Sequence, residues 1–189
     1  MSEEGDDTIL YHGSYCEVKL PNLSMCAQHK DFGCGFYLTT SLEQARNFSK
    51  ISLRKAIANG KILAEQKYGV VSAFRISSDK IEMLKVHFFK AADEEWLHCV
   101  VGHRKPQGFE ALVEKYGVYD VIVGKIANDA TNATITAYMA GLFGEVGSER
   151  AVMFCISLLQ TERLKDQYCF RSEKALSSLK FIKSEKVWL

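Results

Sequence analysis

Residues 164–182 read LKDQYCFRSEKALSSLKFI, and the class of the fold turns on them. QYCFRS alternates as a strand does, EKALSSL reads as a short helix, and KFIKSEKV closes the chain as a second strand. On the first strand Gln167, Cys169 and Arg171 share one face, and Tyr168 and Phe170 share the other. With Tyr168 and Phe170 facing a core, Gln167 is the polar group offered to the opposite face. The plainer reading is a surface glutamine on an ordinary strand.

Further out, TILYHGS (residues 8–14) is an apolar strand that ends in His12, with Gly13 and Ser14 following at once. An imidazole, a bare backbone and a hydroxyl thus meet at a strand tip, a combination able to offer hydrogen bonds to a small ligand. In GCGFYLT (residues 33–39), Gly33 and Gly35 allow a tight backbone approach. Phe36 and Tyr37 then point to opposite faces, so one ring can enter the core while the other faces a cleft. A bulge before a half-buried strand is the alternative. Residues 41–60, SLEQARNFSKISLRKAIANG, predict a helix. Ser41 is its N-cap, Leu42, Ala45, Phe48 and Ile51 or Ser52 follow helical spacing, and Gly60 stops it.

GVVSAFRI and KIEMLKVHFF read as strands, DEEWLHCVVGHR as a dipole-matched helix and YDVIVG as a short buried strand. Two helical segments follow, over about 130–143 and 148–160, separated by GEVGS. Strands and helices mix without regular βαβ alternation, so the expected class is α+β. The reading is one domain over 1–189, with a helical and strand insert within about 79–160.

The 189 residues are 47% hydrophobic and 25% charged, the composition of a globular chain with a substantial core. A formal net charge of +1 gives no electrostatic footprint for nucleic acid or an anionic membrane. The acidic start MSEEGDD has no apolar run, which argues against a secretory signal, and no stretch approaches the ~18 apolar residues of a membrane span. The expectation is a cytoplasmic protein. Six cysteines are scattered without a CxxC pair and read as free thiols. Cys26, His29 and Cys34 lie close together, but a closed metal site takes four ligands and no others are evident, so no metal is expected.

Taken in order, YHGS, GFYLTTSLEQARNF and QYCFRSEKALSSLKFI resemble the ADP-ribosyltransferase superfamily. The likeness is nearer to its diphtheria-toxin and poly-ADP-ribose-polymerase branch than to its arginine-specific branch, and nearest to a largely bacterial set of domains within it. The resemblance implies two packed, split β-sheets with flanking helices and NAD, the co-substrate, in a cleft between them. That branch carries His, Tyr and Glu on three strands, and the matching positions here are His12, Tyr37 and Gln167. By resemblance, His12 hydrogen-bonds a ribose hydroxyl, the Gly13 backbone and Ser14 hold the nicotinamide amide, and Tyr37 stacks on its ring. Gly35, which opens the strand that carries Tyr37, is by the same resemblance a residue of the NAD site. Phe48, eleven residues beyond Tyr37, matches a second stacking aromatic; a helix core residue is its other reading.

The implied activity is NAD-dependent mono-ADP-ribosylation: cleavage of the nicotinamide–ribose bond and transfer of ADP-ribose to an acceptor whose identity the sequence leaves open. Gln167 departs from the catalytic Glu, since it can hydrogen-bond but carries no charge and cannot act as a base. A catalytically silent NAD- or ADP-ribose-binding domain and an NAD glycohydrolase are therefore the alternatives. Asp166 faces away from Gln167 on the strand, and Glu173 lies beyond it. Lys165 occupies the position that the arginine-directed branch uses to activate its acceptor, so arginine is not the expected target. Trp96 reads as a helix anchor, and His98 and His103 are not aligned on one helical face. Asn128 and Asp129 of GKIAND read as a loop or cap, and Arg75 and Arg104 as candidate pyrophosphate contacts.

Overall fold

Strand β1 (Thr8–Ser14) pairs antiparallel along its whole length with β3 (Tyr68–Ile76), from Thr8↔Ile76 to Ser14↔Val70. In this computed structural model, which describes residues 7–107, 110–126, 129–159 and 165–189, that pair is one half of the sheet. The start of the acidic N-terminus, Asn128 of GKIAND, Gln160 and Leu164 fall outside the described residues. The other half is built on β2 (Phe36–Thr39), which pairs along its full length with β6 (Asp166–Phe170). β6 in turn pairs with β5 (Val121–Lys125), and β5 runs parallel to β4 (Val86–Phe88). β7 (Lys180–Trp188) covers the outer edge of β3.

Among the described residues the order is β4-β5-β6-β2-β1-β3-β7, seven strands in one sheet. The architecture is α+β, as expected, but the two separate packed sheets are not found among the described residues. One hydrogen-bonded sheet replaces them, and its halves meet at a single residue pair, Tyr11↔Thr39. The reason is local. β2 is four residues long, and beyond Tyr11 the His12 imidazole takes the Tyr37 carbonyl at 2.8 Å, where a backbone ladder would otherwise continue.

Both faces of the sheet carry core. On one, Leu10, Phe36, Leu38, Phe74, Val121, Val123 and Phe170 form a cluster closed by Ala175 and Leu176 of α7 (Glu173–Ser177). On the other, Ile122 and Cys169 meet helices α3 (Glu94–Arg104), α4 (Glu110–Gly117), α5 (Asp129–Met139) and α6 (Glu149–Leu158). Trp96, fully buried, anchors α3 as expected, and its indole N–H donates to the Lys125 carbonyl at 3.1 Å. Asp93 caps that helix, Glu94 and Glu95 open it and Arg104 ends it, so its charges complement its dipole. Residues 79–160 supply β4 and β5 to the shared sheet as well as most of this helical layer. No helix of the described residues is long and apolar enough to cross a membrane.

Helix α1 (Leu42–Ala58) lies over β1 and β3 on that same face. Ser41 caps it by accepting from the Gln44 N–H at 3.3 Å, and Gly60 ends it at φ +65°. Its buried row is Ala45, Ser49, Leu53 and Ala56 rather than one through Phe48, which is 45% exposed. Small residues form the row because the helix sits very close to the strands. A Cβ on Gly13 would stand 2.1 Å from the Ala45 carbonyl oxygen, and one on Gly69 would stand 2.6 Å from that of Ser49.

Two segments differ from the sequence reading. KIEMLKVHFF is not one strand: Ser78–Glu82 form helix α2, and only Val86–Phe88 reach β5. The backbone of Leu84 turns back to the Ile81 carbonyl at 3.0 Å, which separates the two pieces. Helix α4 stands where no element was expected.

Gly13→Ala is predicted to cost about 1–3 kcal/mol through overpacking against α1. Urea unfolding should show this loss, whereas Gly117→Ala, with nothing within 4 Å of the added Cβ, should leave the midpoint nearly unchanged.

Candidate functional site

His12 sits where β1 and β2 part. Its ring packs 4.3 Å from Phe36, centroid to centroid, and Nδ1 lies 2.8 Å from the Tyr37 carbonyl. A carbonyl can only accept, so Nδ1 carries the proton. Burial holds the imidazole pKa below its ordinary value, opposed in part by this hydrogen bond, and the ring is therefore neutral near pH 7. Its Nε2 is left as a lone-pair acceptor, with no hydrogen-bond partner among the described residues.

Tyr37 points to the opposite face of the sheet and packs against the helical layer. Its hydroxyl donates to the Gly33 carbonyl at 2.8 Å and accepts from the Phe32 N–H at 2.9 Å. Burial pushes the phenol pKa well up, so the proton it donates stays in place. The ring thereby ties its own strand to the loop that precedes it. Phe32, fully buried, sinks the same loop into the core, and Gly33 turns it at φ +79°.

Gln167 faces the same side as Tyr37, paired across the strands with Thr39 and Gly124. It is 5% exposed, so the surface-glutamine reading does not hold. Its Nε2 donates to Asp31 Oδ2 at 2.9 Å and lies 3.5 Å from the Lys125 carbonyl. Two acceptors around one end of the side chain settle which end is the NH2 group. Asp31 Oδ1 accepts from Arg104 at 3.0 Å and 2.6 Å, an ion pair in which both side chains are 14% exposed. Arg104 also donates to Asn132 Oδ1 at 2.7 Å and so is already engaged, whereas the Arg75–Asp7 pair lies on the surface.

The three expected residues therefore stand on three successive strands, β1, β2 and β6. Tyr37 and Gln167 share a face. His12 lies on the other face and touches Tyr37 through backbone at the parting of the strands. Ser14 follows His12 on the same face of β1, partly buried. Gly13 and Gly35 have packing reasons to be glycine: a Cβ on Gly35 would stand 2.4 Å from Cys169 Sγ. Phe48 is on the turn of α1 beside Ser49, whose backbone N would lie 2.8 Å from a Gly13 Cβ. It is exposed, so the helix-core reading of Phe48 falls.

Asp166 pairs with Lys125 Nζ at 2.9 Å, and buried Thr39 lies 3.1 Å from the Asp166 carbonyl, tying β2 to β6. His103 is buried and holds the Cys99 carbonyl through Nδ1 at 2.8 Å. A cavity of about 420 Å³ lies beside His29, Cys34, His103 and Arg171, and another of about 650 Å³ beside Leu142, Phe143, Met153 and Phe154. Neither is lined by His12, Tyr37 or Gln167. Sequence reasoning missed Asp31. A lone aspartate in a polar loop carries no periodicity, and only the fold brings it to Gln167, 136 residues away.

His12 gives a pH dependence. Because its folded pKa lies below the unfolded value, its contribution is fully present above that ordinary value and is lost as pH falls through the window beneath it. Unfolding free energies at pH 7.5 and pH 5 should fall more for the parent than for His12→Asn, which keeps an N–H donor but does not titrate.

One family model, described as "Protein of unknown function (DUF3990)", matches residues 8–181. No curated protein and no solved structure matches the chain. The match runs from the first residue of β1 into β7 and takes in β1, β2, β6 and the loop that bears Asp31. The chain belongs to the DUF3990 family.

Proposed function

We propose that the protein is an NAD-dependent mono-ADP-ribosyltransferase of the ADP-ribosyltransferase type, with NAD held where β1 and β2 part. The observation that carries this reading is the state of His12. It is a neutral imidazole anchored through Nδ1 to the Tyr37 carbonyl, with Nε2 left as an acceptor where the backbone pairing of β1 with β2 gives way. Such an acceptor suits a ribose hydroxyl. His12–Ser14 on β1 and Phe36–Leu38 on β2 lie beyond the single pair that joins these strands, so their facing backbone edges suit the amide of nicotinamide. Tyr37 and the exposed Phe48 are the aromatics offered to its ring.

The chemistry is a substitution at the sugar. The bond from ribose C1′ to the pyridinium nitrogen breaks, and its electron pair neutralises the charge on nicotinamide. Positive charge develops over C1′ and the ring oxygen. A lone pair of the acceptor then forms the new bond to C1′, and the acceptor's proton passes to solvent. What the protein must supply is a grip on the leaving group, a fixed ribose and dipoles directed at the developing charge. His12 and the β1 tip meet the first two demands.

A second reading, a domain that binds NAD without cleaving it, is favoured by one observation: Gln167 is uncharged and nearly buried. Nicotinamide release separates the two. The transferase reading predicts release from NAD, coupled to labelling of an acceptor. Tyr37→Ala should weaken NAD binding by about tenfold, through lost stacking worth ~1 kcal/mol or more. Tyr37→Phe, which keeps the ring, should bind within about threefold of the parent. Binding without release would support the silent domain, release without labelling a glycohydrolase, and equal affinity in Tyr37→Ala would remove the ring from the site.

A further inference from the structure

The surroundings of Gln167 explain why the position is not a glutamate. Its terminal group meets two acceptors, Asp31 Oδ2 at 2.9 Å and the Lys125 carbonyl at 3.5 Å. A glutamate there would set a second carboxylate against the first in a buried place, where like charges cannot both ionise cheaply. The amide gives its hydrogens to this side instead. Its Oε1 then makes no hydrogen bond among the described residues.

Asp31 is held with unusual firmness for a loop residue. Phe32 beside it is fully buried, the Tyr37 hydroxyl clamps Phe32 and Gly33, and Arg104 grips Oδ1 with two donors. Arg104 engages one oxygen and Gln167 the other. The ion pair is therefore a dipole whose negative end rests on the Gln167 amide.

We propose that Asp31 is a positioning residue for this site, turning Gln167 so that Oε1 accepts a ribose hydroxyl and supplying the negative charge that the strand position lacks. The inference rests on the NAD-cleaving reading above. As the C1′–nitrogen bond breaks and its electron pair leaves with nicotinamide, the charge on the ribose develops beside a hydroxyl that Gln167 holds, and the Asp31 carboxylate behind the amide polarises that contact. The function assigned elsewhere to one glutamate is here divided between a strand amide and a loop carboxylate.

A charge-swap series tests this, using the full chain in four forms: parent, Asp31→Asn, Gln167→Glu and the double variant. Nicotinamide-release kcat, NAD Kd and thermal midpoint are measured for each. Asp31→Asn should leave NAD Kd within about threefold yet lower kcat by about tenfold to a hundredfold, less than the loss of a direct transition-state contact. Gln167→Glu should lower the midpoint by opposing two carboxylates. The double variant restores one carboxylate facing one amide and should recover both the midpoint and most of the rate, a coupling that a merely structural role would not produce. An Asp31→Asn variant with the parent's kcat, or a double variant no better than the two single changes combined, overturns the proposal. Should Asp31→Asn fail to fold, recovery of the midpoint and rate in the double variant decides. A parent that releases no nicotinamide overturns the NAD-cleaving reading and this inference together, whereas an active parent with a fully active Asp31→Asn removes the inference alone.

Discussion

Between β1 and β2 a side chain takes over from the backbone. Up to Tyr11↔Thr39 the strands are joined as a sheet, and beyond that pair the His12 imidazole holds the Tyr37 carbonyl instead. The substitution has two consequences. It keeps the two halves of a seven-stranded sheet in register at its narrowest point. It also leaves the following residues of both strands outside the ladder, where a ligand can use them. Burial keeps the imidazole neutral, and a neutral ring with its proton spent on Tyr37 has an acceptor and nothing else to offer.

Other close contacts hold this parting in place. On one face α1 presses its row of small residues onto β1, and Gly13 is the concession that allows it. On the same face, further along, the loop of residues 31–33 is sunk by Phe32, clamped by the Tyr37 hydroxyl and tied to α3 through Asp31 and Arg104. The loop thus connects α3, β2 and β6, three elements that are far apart in sequence. Buried ion pairs of this kind add little net stability, because desolvation offsets much of the attraction. Their contribution here is to fix where a carboxylate stands.

Much of this was legible in the sequence wherever a local pattern carried it. The alternation in QYCFRS gave the correct faces for Gln167, Cys169, Tyr168 and Phe170, and Ser41 and Gly60 marked both ends of α1. What the sequence concealed depends on partners distant along the chain. Phe48 sits on a row with the right spacing for a core, but α1 lies too close to its strands for that row to be the buried one. The break within KIEMLKVHFF follows from β4 having only a short stretch of β5 to pair with. Gln167 read as the polar group offered to the face away from Tyr168 and Phe170, with a surface glutamine as the alternative; its cover comes from residue 31, and no pattern in the loop announces it.

Amide hydrogen exchange, mapped along the chain with and without saturating NAD, tests the central claim most directly. If NAD lies where β1 and β2 part, exchange should slow at residues 12–14 and 31–37 and stay unchanged in α5, α6 and the segment at Leu142 and Phe143. Unchanged exchange at both β1 and β2 segments, or slowing confined to the cavity beside His29 and Arg171, would contradict it.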